Sequence, residues 1–329
     1  MLTHRERLQA CLTGDAALDR PPVALWRHFP VDDQAPESLA EAVLFFQHTY
    51  DFDLVKVTPA SSFCLKDWGV EDVWEGDGEG TRRYTRSVVK KPQDWEHLKA
   101  LDPRKAPHLA AQLACLRQLR RELGAEVPLL QTIFSPFSQA KHLVGNELFQ
   151  VHLRKYPQAV MKGLEAVAET TRRFVEAAGE TGIDGIFYAV QHAQAGVLAW
   201  SEYKTLALPL DRQVIEPAGA WPFNLLHLHG ADIYFELAAE LPFQIVNWHD
   251  RETPPTLVEA RKSFSGTLCG GISQRTIVLS ETADVRREAL DAIAQTRGRK
   301  FILGTGCVVP VTAPHGNILA ARRSVEGHA

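Results

Sequence analysis

Eight short apolar segments alternate with stretches of helical periodicity along this chain, and that alternation constrains its fold more than any other feature. The segments fall at 22–26, 52–57, 128–133, 183–188, 223–229, 243–248, 266–270 and 300–304. Helical stretches lie between them at 38–50, 106–124, 157–182, 231–241, 256–264 and 283–296. Apolar runs this short, alternating with helices, read as parallel strands joined by helical crossovers. The GxGxxG of a dinucleotide-binding sheet is missing. The pattern predicts an α/β protein, a (β/α)8 TIM barrel occupying residues 1–329 as one domain, with an N-terminal helix over 3–13. Functional residues are then expected at the C-terminal ends of the strands.

The 329 residues, 45% of them hydrophobic and 23% charged, can bury a core of that size. A formal charge of −4 offers no cationic face to nucleic acid or to an anionic membrane, so both are set aside as partners. No apolar run approaches the ~20 residues of a bilayer span, and the start enters a polar helix pattern without a signal peptide, which predicts a cytoplasmic protein. Five widely spaced cysteines without a CxxC argue against a disulfide framework. One excursion interrupts the alternation after the second strand. Residues 70–75 and 81–86 flank the glycine-rich 76–80 and read as a β-hairpin inserted over the barrel mouth. The last residues, 326–329, read as a frayed end.

The residues at or just past the strand ends include Arg27, His28, Thr58, Ser135, His192, His229, His249, Asp250, Ser273 and Cys307. Five of the thirteen histidines (His28, His192, His227, His229 and His249) lie on or beside these positions. Residues two apart in a strand share a face, so His227 and His229 project together. An isolated His-x-His in a strand is ordinarily structural. In a closed barrel, however, Cys307 ends another strand at the same rim, and two imidazoles with one thiolate form the three-ligand set of catalytic zinc. His249, Asp250 and His192 are candidates for orienting these ligands or accepting a proton. Lys56, inside the second strand, is expected to be paired and structural, because an unpaired ammonium in a barrel interior is costly.

With these residues in view, the chain resembles the uroporphyrinogen decarboxylase superfamily over nearly its full length. The resemblance is carried by Arg20-Pro21-Pro22-Val23, by Tyr84-Thr85-Arg86 followed by Lys91-Pro92-Gln93-Asp94-Trp95, and by Phe137-Ser138-Gln139-Ala140. It continues in Gly182-Ile183-Asp184-Gly185-Ile186, Gly270-Gly271-Ile272-Ser273, Gly306-Cys307 and Pro314-His315-Gly316-Asn317-Ile318. It implies a (β/α)8 barrel and one of two activities, tetrapyrrole decarboxylation (a lyase of heme biosynthesis) or cobalamin-dependent methyl transfer. The decarboxylases have Arg-Gln-Ala-Gly-Arg after the first strand to grip carboxylates; here it reads Arg27-His28-Phe29-Pro30-Val31. Their pyrrole-binding Asp is missing from 57–61, and their substrate-contacting Tyr falls on His142. The branch similar to methylcobamide:coenzyme M methyltransferase binds zinc through His-x-Cys-Gly and a later Gly-Cys, which fall here on His227, His229 and Cys307.

His229 in place of a Cys makes such a site one charge more positive. The resemblance therefore implies a zinc-dependent enzyme moving a methyl group between a corrinoid and a thiol or similar acceptor. Arg27, His28, His142 and Asn247 are the expected substrate contacts. A small-molecule substrate and a corrinoid protein are the expected partners, and a homodimer is left open. The alternatives are a uroporphyrinogen decarboxylase-type carboxy-lyase and a non-catalytic barrel that binds a tetrapyrrole or corrinoid protein.

Overall fold

The computed structural model describes residues 2–326, so the expected frayed end lies outside it apart from Glu326. Seven parallel strands form one sheet. In chain order the strands are β1 (Val55–Val57), an antiparallel ribbon of β2 (Glu71–Val73) and β3 (Arg83–Arg86), then β4 (Leu129–Phe134), β5 (Gly185–Val190), β6 (Leu225–Leu228), β7 (Ile245–Trp248), β8 (Thr267–Ile272) and β9 (Phe301–Thr305). The sheet order is β1-β4-β5-β6-β7-β8-β9, every pair parallel and sequential, as helical crossovers require.

The segment expected as the first strand is reduced to a single bridge, Val23 to Leu303. Pro21 and Pro22 have no N–H to give a ladder. The segment still sits beside β9, with Ala24 N–H donating to Leu303 O and Leu303 N–H to Pro22 O, both at 2.9 Å. On its other side Asp53 N–H donates to Val23 O at 2.9 Å. The sheet thus curls, and side chains from this segment, β1, β4, β5 and β6 line one cavity.

Alternation along each strand divides the molecule into two cores. Ala24, Trp26, Leu54, Leu130, Phe187, Leu225, Ile245, Cys269 and Ile302 point inward, with Leu8 and Cys11 of the N-terminal helix, His4–Thr13, packed among them. Leu25, Val55, Val57, Leu226, Leu228, Val246, Trp248 and Leu303 point outward under the surrounding helices. The N-terminal helix begins with a capping box, Thr3 to Glu6. Asp53 ties this end together, accepting from Arg7 Nη1 (2.8 Å), Arg20 Nη1 (2.6 Å) and Val23 N–H (2.8 Å).

Two helices that the strand reading passed over, Pro136–Val144 and Asn146–Lys155, follow β4 directly. Conversely, the expected helix at 231–241 shrinks to Leu237–Glu240. The β2–β3 ribbon lies against the first inward segment. A Cβ at Gly80 (φ +82°) would sit 2.5 Å from Cβ of His28, so only glycine permits this approach. No helix among the described residues is long and apolar enough to cross a membrane.

Candidate functional site

Strand parity decides which side chains meet inside the sheet. His227 continues the inward face of Leu225, and His229 follows on the same face just beyond β6. His249 extends the inward face of Ile245 and Asn247, and Cys307 lies just past β9. The four offer donor atoms within 4.8 Å of one another. Cys307 Sγ is 3.7 Å from His227 Nε2 and 3.8 Å from His229 Nδ1, and His249 Nε2 is 3.5 Å from His229 Nδ1.

Burial lowers the pKa of His227 well below the usual imidazole range, and its histidine neighbours lower it further. His229 is pulled down to about 4, again chiefly by burial. Burial pushes the Cys307 thiol up to about 11. Neutral imidazoles facing a buried thiol, with no carboxylate in the donor set, suit a borderline-soft divalent cation. The fit has a structural basis at His227. Asn247 donates through Nδ2 to Cys269 O (2.9 Å) and Thr305 O (3.0 Å), so its Oδ1, 2.7 Å from His227 Nδ1, must accept. His227 Nδ1 therefore carries the proton and Nε2 presents its lone pair toward Cys307.

His227, His229 and Cys307 open onto a cavity of about 290 Å³ whose wall includes Trp26, His28, Lys56, Glu79, Phe187 and Lys141. A groove of about 530 Å³ adjoins it and shares Tyr84, Lys141, His142, Gln191 and His229. His229 thus stands where an inner chamber meets an outer opening.

Several expected roles require correction. Lys56 is not paired: it faces inward by the parity of Leu54, with Nζ 4.4 Å from the centroid of Phe187 and 5.8 Å from that of Trp26. Among the described residues no carboxylate reaches it, and burial pulls its pKa down to about 7. Arg27 falls on the outward parity of Leu25; its guanidinium lies over Phe29 at 5.5 Å, away from the cavity. Asp250 also turns outward, onto the Gly271 N–H at 3.0 Å, and does not reach the donors. Asn247 is sealed behind His227 and is no substrate contact. His192 lines only the outer groove, edge-on to Phe137 and Phe149, with neither ring nitrogen hydrogen-bonded.

His28 and His142 do line the cavity, the latter stacked on Tyr84 at 4.1 Å. His249 joins the donor set itself. The sequence reading passed over Lys141, Glu79 and Tyr84. For Tyr84 and Glu79 the available signal is the hairpin that carries them over the strand ends; for Lys141 there is none, because its helix, Pro136–Val144, is not among those expected from the periodicity.

Comparison with known proteins agrees with this architecture. The family profile described as Uroporphyrinogen decarboxylase (URO-D) matches residues 3–328. A uroporphyrinogen decarboxylase of Syntrophotalea carbinolica is 26% identical over 69% of this chain and 67% of its own length. The methylcobamide:CoM methyltransferase MtbA of Methanosarcina acetivorans is 24% identical over 63% of this chain and 60% of its own. The chain thus spans about two thirds or less of these curated relatives. Among solved structures, a methyltransferase from Methanosarcina mazei superposes with a TM-score of 0.85 at 17% identity, covering 99% of both chains, a likeness of fold.

Proposed function

The chain belongs to the uroporphyrinogen decarboxylase family, and from that premise we propose that it is a zinc-dependent methyltransferase built on a closed (β/α)8 barrel, moving a methyl group between a corrinoid and a thiol. The observation that carries this reading is the convergence of His227, His229, His249 and Cys307 within 4.8 Å at the ends of three strands. A zinc ion held by these residues supplies the Lewis acidity that lowers the pKa of an acceptor thiol.

The chain's own groups do the rest. Asn247 keeps the His227 proton on Nδ1, so that Nε2 stays a donor. Cys307 contributes the one anionic ligand. His249 would complete the ligand set or hold the acceptor's proton on Nε2. Trp26 and Phe187 give the inner chamber an apolar wall beside the donors, and the outer groove beside His229 admits the methyl donor. A corrinoid protein is the proposed source of that donor.

Uroporphyrinogen decarboxylation is the second reading, kept by the relatives of that name and by the two cationic side chains, Lys56 and Lys141, in the cavity. The outward turn of Arg27 weighs against it. The deciding experiment incubates the zinc-loaded protein with methylcobalamin and small thiols and follows demethylation of the corrinoid by absorbance. Thiol-dependent demethylation that is lost in His227→Ala supports methyl transfer. Its absence, together with release of CO2 from uroporphyrinogen, favours the second reading.

A further inference from the structure

Lys56 is a buried charged group of the cavity that the proposed methyl transfer does not use. It is 8% exposed, faces the chamber from β1, and sits against two aromatic rings in place of a carboxylate. An amine so placed carries a desolvation cost that neither ring repays in full. The other polar groups of the wall do not answer it. Arg82 is engaged by Asp33 at 2.6 Å, and Glu79 lies by Gln274 at 3.4 Å. Lys141 adds a second cation at the boundary with the outer groove. Beside Lys56, the Trp26 indole N–H is buried without an acceptor. Lys56 Nζ and the Trp26 N–H thus stand together in the wall as donors with no acceptor among the described residues.

We propose that Lys56 is the specificity-determining anchor of this cavity, and that its ligand is a small organic acid whose carboxylate pairs with Lys56 Nζ while its chain lies along Trp26 and Phe187 toward Cys307. A ligand carboxylate would supply the missing counter-charge and accept charge-assisted hydrogen bonds in a site shielded from water. A neutral ligand of the same shape would leave the amine unpaired, so the preference for the acid is built into the wall. The inference rests on this cavity being the substrate site, and it does not require a bound metal.

The test compares binding of mercaptopropionate and mercaptopropionamide by calorimetry, to chelator-treated and to zinc-loaded protein. Wild type is expected to bind the acid about tenfold or more tightly than the amide in both states. In Lys56→Met the two affinities converge with metal content unchanged, and in Lys56→Arg the preference for the acid persists. Methionine keeps an unbranched side chain one atom shorter than lysine's and removes an unpaired buried amine, so the variant should fold, which its melting curve checks. Equal affinities in wild type, or an acid preference that survives in Lys56→Met, overturns the assignment. A failed metal site would show separately, as protein without zinc that still prefers the acid.

Discussion

Nδ1 of His227 lies 2.7 Å from Oδ1 of Asn247, an amide whose nitrogen is already engaged by two backbone carbonyls. This contact selects the imidazole tautomer and thereby makes Nε2 a donor. Asn247→Leu removes it without touching the donor set. Zinc affinity, measured by competition with a chromophoric chelator, should fall about 10–100-fold, the usual effect of losing such a support. Wild-type affinity in this variant would mean that His227 needs no help to orient.

His229→Cys should retain metal and add a second thiolate. Its side chain leaves the backbone on the same face as His227, and His229 Nδ1 already lies 3.8 Å from Cys307 Sγ. With cobalt in place of zinc, the thiolate charge-transfer absorbance should about double relative to wild type, because each thiolate ligand contributes to it. Loss of metal from His229→Cys would mean that only the longer imidazole reaches the site.

Asp53 should govern stability in acid. Burial alone would raise its pKa, but hydrogen bonds from His4 and Arg20, together with Arg20's charge, hold it well below the ordinary carboxylate range. A group depressed in the folded state stabilises above its unfolded pKa, about 3.9, and loses that contribution as pH falls toward the folded value. Wild type should therefore lose stability below about pH 4 more steeply than Asp53→Asn, which keeps only the acid loss from other lowered carboxylates such as Glu169 and Asp19. At neutral pH, Asp53→Asn should cost about 3–5 kcal/mol in urea unfolding, since it takes Arg20's carboxylate partner and leaves Arg7 with Asp19 alone. A cost under about 1 kcal/mol, within the range of exposed ion pairs, would contradict the buried network.

Arg27→Gln should leave metal content and acid binding unchanged, because Arg27 lies on the far side of the sheet from the cavity. The same orientation predicts no appreciable turnover of uroporphyrinogen, for which an arginine clamp would have to face inward. Ordinary biosynthetic rates with that substrate, or an Arg27→Gln variant that loses ligand binding, would reverse this.

The fold was readable because strand periodicity depends only on local sequence. The same parity that puts His227 and His229 together also turns Arg27 and Asp250 outward. Other features were not local. Nothing in the sequence around Lys56 reveals that no carboxylate reaches it, since its surroundings come from β5 and the segment before β1. Asn247 is expected from the sequence as a substrate contact, and only the register of β6 against β7, pairing His227 with Asn247, makes it a support. The helices after β4 were obscured by the glycine at 145, which ends one and begins the next.

The most direct test is elemental analysis of protein purified without chelators, alongside Cys307→Ser and His227→Ala. We expect about one zinc per chain in wild type, and loss of most of it in both variants with the melting transition retained, because the donors converge at the strand ends. Wild-type protein without metal, or variants that keep a full equivalent, would contradict the metal centre.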